Sequence, residues 1–123
     1  MVDDTPANID FARSTFEPSG YGVITASNVR EALALAEAHA IDLVLCDLHM
    51  LPESGRDLLE LAKQIPRLAG IPLVIISSTY TREGERLECL KSGATRFIRR
   101  PIEPQALLAE IAALLPKTKE APP

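Results

Sequence analysis

Residues 42–47 read Asp-Leu-Val-Leu-Cys-Asp, and residues 73–78 read Leu-Val-Ile-Ile-Ser-Ser. Both stretches are short and almost continuously apolar, which is typical of strands that are buried on both faces of a parallel sheet. The first stretch ends at Asp47, and the second ends in the pair Ser77 and Ser78. Segments with helical periodicity lie on either side of each stretch. This alternation predicts an α/β fold built around a parallel sheet.

The remaining strands are predicted from the same kind of pattern. In chain order, the predicted strands occupy residues 21–26, 42–46, 73–77 and 95–99. Met1 and Val2 form only the stub of one more strand, because the other strands have longer apolar runs before their polar ends. We therefore expect a doubly wound, five-stranded sheet with helices on both faces and a truncated first strand.

Five helices are predicted from apolar side chains at helical spacing. Asn28 caps the second helix with Glu31 three residues later, and Pro66 stops the third. The apolar stripes are, in chain order, Ile9, Ala12 and Phe16; Val29, Ala32, Leu33 and Ala36; Leu58, Leu61, Ala62 and Ile65; Leu87 and Leu90; and Leu107, Leu108, Ile111, Leu114 and Leu115. One domain over residues 1–115 is expected, followed by a tail or linker start over residues 116–123.

Composition narrows the function classes. The 123 residues include 13 Lys and Arg against 17 Asp and Glu, a net charge of -4, and aromatic residues make up only 4%. Such a chain lacks the basic surface for nucleic acid and the stacking platforms for bases. No apolar run is long enough to span a membrane, and Cys46 and Cys89 lack metal-site spacing. We expect a cytoplasmic protein with two buried thiols, no direct nucleic-acid contact and no membrane contact.

The carboxyl ends of parallel strands share one edge of the sheet, where open α/β sheets hold their ligands. Three carboxylates at this edge would repel one another unless a cation joined them, and oxygen ligands of this kind suit Mg²⁺. With a divalent cation present, an aspartate can act as a nucleophile toward a phosphoryl group. The polar residues predicted at this edge are Asp3, Asp4, Asp47, Ser77, Ser78 and Arg100.

Several short motifs in this order resemble the receiver domain of bacterial response regulators, the CheY-like domain of two-component signalling. They are Val-Asp-Asp at 2–4, Asp-Leu-His-Met at 47–50 with Gly55 eight residues beyond Asp47, Ser-Ser at 77–78, Gly-Ala at 93–94 and Arg-Arg-Pro at 99–101. The resemblance covers residues 1 to about 115. It implies a sheet of strand order 2-1-3-4-5, as known for this kind of doubly wound fold.

The resemblance also implies a role for each matching residue. Asp47 resembles the phosphoacceptor, Asp4 a direct Mg²⁺ ligand and Asp3 a ligand acting largely through water. His49 resembles the residue that binds the metal through its backbone carbonyl. Three further residues resemble the phosphoryl-contacting and switch positions: Ser77 (Ser78 when counted back from Pro101), Arg100 and Phe97, the last an aromatic rotamer switch.

By the same resemblance, a histidine kinase or phosphotransfer protein donates the phosphoryl group. The phosphorylated domain then acts on a downstream protein or a fused output domain. The fourth helix, the fifth strand and the fifth helix form the partner face and the expected surface for a homodimer. Catalysis is limited to the domain's own phosphorylation and dephosphorylation.

Four features depart from the family pattern. The first strand is short, Arg100 replaces a near-invariant lysine, Leu51 displaces the expected proline to Pro52, and the two counts for the switch hydroxyl differ by one residue. These departures leave open an alternative function, a degenerate receiver that binds or dimerises without phosphorylation. A hydrolase acting on external substrates is disfavoured, since no segment supplies a second acid or base or a lid.

Overall fold

Helices and strands alternate along the chain in the computed structural model, which describes residues 1–78 and 80–115. The predicted tail over 116–123 lies outside the described residues. The elements are α1 (Pro6–Phe16), a 3₁₀ turn (Glu17–Ser19), α2 (Val29–Ala38), β1 (Val44–Asp47), α3 (Gly55–Lys63), α4 (Pro66–Ala69), β2 (Leu73–Ser77), α5 (Glu83–Lys91), β3 (Arg96–Arg99) and α6 (Pro104–Leu114).

The three strands form a parallel sheet in the order β1-β2-β3. Asp47 lies opposite Ile76, and Ser77 lies opposite Arg99. All three strands therefore end at the same edge of the sheet, as the sequence predicted. The α/β class is confirmed, whereas the five-stranded sheet is not formed as predicted.

The prediction of a strand over residues 21–26 is wrong. The predicted first strand is reduced to one bridged residue, Val2. Val2 forms isolated parallel bridges with Ala26 and with Cys46, so it lies between those two segments. Residues 21–25 hold no regular structure. The backbone of this segment bonds to residues 1–3 only at Ile24 and Ala26, which is too few hydrogen bonds for a ladder. Apolar, β-branched composition alone does not make a strand.

The sheet is covered on both faces by apolar clusters. One cluster includes Ile75, Cys46 and Cys89, and the other includes Val74 and Leu107; all five side chains are at most 1% exposed. Alternate residues of β2 thus enter opposite layers, which explains its continuously apolar sequence. Both cysteines are buried and free, so their prediction as core thiols is confirmed.

Helices form at all five predicted stripes, but Leu61 and Leu87 of those stripes are exposed and Ile65 lies beyond the end of α3. Pro66 does not simply stop the third helix; it begins the short helix α4, where a missing N–H has no intrahelical partner to lose. Helix α3 begins with a capping box between Ser54 and Asp57, which the stripe pattern did not reveal. The Asn28 cap is confirmed, because its side chain accepts a hydrogen bond from the Glu31 N–H. The Ser54 cap fixes where the loop after β1 ends.

Candidate functional site

Three carboxylates meet at the carboxyl edge of the sheet. Asp3, Asp4 and Asp47 each place an oxygen within 4.8 Å of the others. Asp3 and Asp47 are buried, and Asp4 is exposed. The structure therefore brings together the three acidic residues that the sequence placed there.

Backbone hydrogen bonds hold Asp3 beside Asp47. The Val2 N–H donates to the Leu45 carbonyl at 2.8 Å, and the Asp47 N–H donates to the Val2 carbonyl at 2.9 Å. On the other side, the Asp3 N–H donates to the Ala26 carbonyl at 3.0 Å. A single bridged residue is enough to align the acidic pair with the end of β1, even though no strand forms there.

The Arg100 side chain joins two of these carboxylates. Nη1 donates to Asp47 Oδ1 at 2.9 Å, and Nη2 donates to Asp3 Oδ2 at 2.8 Å. The backbone N–H of Arg100 donates to the Ser77 carbonyl at 2.7 Å, which anchors the residue at the end of β2. The two guanidinium–carboxylate bonds are charge-assisted, and hydrogen bonds of this kind are stronger than those between neutral groups. Arg100 is thus brought into the site.

Burial is the main influence on the ionisation of Asp47. It raises the pKa of the Asp47 carboxyl above the ordinary aspartate value, the hydrogen bond from Arg100 lowers it, and the neighbouring charge of Asp3 raises it. The net direction is upward. Carboxyl groups whose pKa is shifted by burial and by neighbouring charges are common at functional sites.

The substitution Asp47→Asn is expected to stabilise the domain at neutral pH. A carboxyl with a folded pKa above its unfolded pKa binds its proton more tightly when folded, so stability is lost as pH rises through the window between the two values. An uncharged amide avoids that loss. Urea unfolding should therefore give Asp47→Asn a higher free energy of unfolding at pH 7.

The gain should disappear at about pH 3, below the ordinary aspartate pKa, where wild-type Asp47 is protonated in both states. Asp10→Asn, on the exposed face of α1, is a control for removing one acidic charge. A loss of stability at pH 7, or the same gain at both pH values, would contradict the expectation.

The two serines after β2 lie in different environments. Ser77 is the last residue of β2, is fully buried, and its hydroxyl donates to the Ser78 carbonyl at 3.3 Å. Ser78 is exposed in the following loop, with its hydroxyl 3.5 Å from that of Thr81. Only Ser77 is fixed in the sheet beside the Arg100 backbone, which favours it as the phosphoryl-contacting hydroxyl. The role stays a prediction.

His49 and Phe97 occupy the borders of the site. The His49 side chain is exposed, and its Nε2 lies 3.5 Å from the Glu85 carboxylate of α5. The predicted contact of His49 with a metal uses its backbone carbonyl, so the position of the side chain does not test it. Phe97 is half-buried against the core, and the Arg99 guanidinium lies 5.5 Å from its ring centroid. Both roles stay predictions.

Two residues outside the predicted set support the acidic residues. The Thr5 N–H donates to Asp3 Oδ1 at 2.9 Å, and the Gly55 N–H donates to the Leu48 carbonyl at 2.9 Å. A Cβ on Gly55 would lie 2.6 Å from the Asp47 carbonyl oxygen. The spacing of Gly55 from Asp47 was a visible signal in the sequence, whereas nothing in the sequence marked Thr5.

The donor set fits a hard divalent cation. All three clustered side chains are carboxylates, and Mg²⁺ is bound in proteins through one or two carboxylates with several waters. One exposed member of the cluster, Asp4, leaves room for solvent on that side. The residues present thus suit Mg²⁺ better than a metal that needs nitrogen or sulfur ligands.

The family model for the response regulator receiver domain matches residues 1–112. The chain belongs to this family. The receiver is 32% identical to the response regulator PleD of Caulobacter vibrioides over 93% of its own length but only 25% of the length of PleD. It is also 31% identical to an uncharacterized 14.6 kDa protein of Leptolyngbya boryana, over 88% of this chain and 82% of that protein.

A solved structure shows the same architecture. The receiver superimposes on the chemotaxis protein CheY4 of Vibrio cholerae with a TM-score of 0.86 and 27% sequence identity, over 93% of this chain and 94% of that one. Within residues 1–78 and 80–115, the receiver contains no helix with the length and apolar character needed to cross a membrane.

Proposed function

We propose that this receiver accepts a phosphoryl group on Asp47 from the phosphohistidine of a histidine kinase or phosphotransfer protein. The observation that supports this most directly is the position of Asp47. It ends β1, lies within 4.8 Å of two further carboxylates and is hydrogen-bonded to a fixed cation. This arrangement suits an aspartate nucleophile with its charge compensation in place.

The transfer exchanges one bond to phosphorus for another. An Asp47 carboxylate oxygen attacks the phosphorus of the phosphohistidine, a P–O bond forms, and the P–N bond breaks with its electron pair remaining on the imidazole nitrogen. Mg²⁺, held by Asp3, Asp4, Asp47 and the backbone carbonyl of His49, would neutralise the charge of the phosphoryl oxygens. Since Asp47 is the attacking group, it must be ionised, and Arg100 favours that form.

The new charge on Asp47 then becomes the signal. Arg100 can turn both arms of its guanidinium to phosphoryl oxygens, and the Ser77 hydroxyl can donate to a third. Both residues lie at the ends of β2 and β3, so their movement reaches Phe97 on β3. The surface of α5, β3 and α6 then changes its preference for a partner protein, an output domain or a second copy.

The receiver acts in the cytoplasm beside its kinase, without direct contact to nucleic acid or membrane. It catalyses nothing beyond its own phosphorylation and dephosphorylation. The match covers only 25% of PleD, and we assign any output function to segments outside the receiver or to partner proteins.

A second candidate is a receiver that binds its partner independently of phosphorylation. Two observations favour it: Arg100 stands where the family has a lysine, and the first two strands are reduced to bridges. This candidate requires the partner face to bind equally well with and without a charge at Asp47. The two proposals therefore differ in one measurable property.

The deciding experiment is intact mass spectrometry after incubation with Mg²⁺ and acetyl phosphate. We expect the wild-type receiver to gain the mass of one phosphoryl group and Asp47→Asn to gain none. Asp10→Asn serves as the matched control and should be phosphorylated like wild type. An equal gain in Asp47→Asn would refute Asp47 as the acceptor, and no gain in wild type would refute it and favour the second candidate.

A further inference from the structure

The Arg100 guanidinium occupies the space between the two buried carboxylates of the site. One nitrogen bonds to Asp47 and the other to Asp3, at 2.9 and 2.8 Å. The Arg100 side chain is itself about three-quarters buried, with 26% exposed. A single fixed positive charge therefore already compensates the part of the acidic cluster that is least accessible to water.

These bonds use oxygens that a metal would otherwise share. Asp3 gives Oδ2 to Arg100 and Oδ1 to the Thr5 N–H, so both of its oxygens hold donors. Mg²⁺ needs near-octahedral geometry and keeps several of its waters. A guanidinium between the two carboxylates occupies space for those waters and repels the approaching cation. Metal binding and the Arg100 contacts thus compete for the same two residues.

The identity of the residue at position 100 sets the strength of this competition. Guanidinium is planar, weakly hydrated and presents donors in a fixed fork, which lets one side chain bond to two carboxylates at once. The ammonium of lysine is a compact, strongly hydrated point charge. A lysine at this position would lack the fixed fork that spans both carboxylates and would retain its own hydration more strongly, so it would yield the carboxylate oxygens to the metal more readily.

We propose that Arg100 is a resident counter-ion that competes with Mg²⁺ for Asp3 and Asp47, so that the resting receiver binds Mg²⁺ more weakly than it would with lysine at position 100. The inference rests on the proposed function, since it assumes that Mg²⁺ belongs at this cluster. It assigns to Arg100 a part in setting metal affinity, in addition to its contact with the phosphoryl group.

The test is a calorimetric titration of Mg²⁺ into the full chain at fixed pH and ionic strength. Arg100→Lys should lower the Kd for Mg²⁺ by about ten-fold, which corresponds to the loss of about one hydrogen bond to a charged group. Arg99→Lys is the matched control, because Arg99 bonds to the Thr81 carbonyl and lies near Glu83, away from the acidic cluster. The control should leave the Kd unchanged.

If Arg100 only held the site in shape, its replacement would weaken Mg²⁺ binding. Tighter Mg²⁺ binding in the variant is therefore the result that competition predicts. Arg100→Gln, which removes the charge altogether, is a second variant if the lysine variant does not fold by circular dichroism, and it should also bind Mg²⁺ more tightly. Equal or weaker binding in the variants that fold would overturn the inference, as would a matching gain in Arg99→Lys.

Phosphorylation is measured separately by intact mass, so that a failure of this inference can be distinguished from a failure of the proposed function. If wild type gains no phosphoryl group but Arg100→Lys still binds Mg²⁺ more tightly, the competition stands and the acceptor role fails. If wild type is phosphorylated but the two Kd values agree, the competition fails alone. If no variant binds Mg²⁺, the metal assignment and the competition fail together.

Discussion

Replacing Arg100 with methionine is expected to lower the free energy of unfolding by about 3 kcal/mol in the absence of divalent cations, since removing one partner of a buried ion pair leaves an uncompensated charge. Methionine keeps much of the length of the side chain but removes every donor. Asp3, which is fully buried, and Asp47, which is 7% exposed, would then face each other without the bonds at 2.8 and 2.9 Å. Their mutual repulsion adds to the desolvation of each charge.

The measurement is urea unfolding at pH 7 with a chelator present, followed by the same experiment in Mg²⁺. The matched control is Arg96→Met, which breaks an exposed pair with Glu110 at 3.0 Å and should change stability by less than about 1 kcal/mol. Added Mg²⁺ should recover part of the loss in Arg100→Met and none in Arg96→Met. Equal losses in the two variants would show that the burial of the pair has no energetic consequence.

The approach of Asp47 and Arg100 was predictable because it depends only on the direction of the strands. Parallel strands end at one edge, so residues that follow apolar runs are brought together whatever the loops do. The second arm of Arg100, which reaches Asp3, was not predictable. It depends on the exact placement of a one-residue bridge at Val2, and such a bridge has no periodic pattern.

The errors in the strands and helices have different physical origins. Residues 21–26 have strand composition, but a strand needs a partner that lies far away in sequence, and only Val2 and its neighbours supply one. A proline disrupts a helix when it lies in the interior and favours a helix when it lies in the first turn, where Pro66 lies in α4. The residue type alone does not distinguish these two positions. Local pattern therefore predicted β2 and its burial well, and long-range pairing poorly.

Gly55→Ala is expected to lower the free energy of unfolding by about 3 kcal/mol, at the upper end of the range for overpacking a buried position. The added Cβ would lie 2.6 Å from the Asp47 carbonyl oxygen, 3.1 Å from Ile75 Cδ1 and 3.1 Å from Leu48 Cα. Two of these three contacts are backbone atoms that no rotamer change can move. Either α3 must shift away from the sheet or the end of β1 must move.

Each of these movements has a different functional result, so the variant also tests how the site is held. A shift of β1 displaces Asp47 from Asp3 and Arg100 and should slow phosphorylation by acetyl phosphate well beyond the stability loss. A shift of α3 alone would leave the phosphorylation rate of the folded fraction unchanged.

Gly84→Ala is the control, because nothing lies within 4 Å of a Cβ at this position. Gly84 lies in the first turn of α5, where alanine should leave the stability unchanged or raise it by up to about 1 kcal/mol. If both glycine variants are equally stable, the close approach of Gly55 to Asp47 does not constrain the site, and the spacing of eight residues between them needs another explanation.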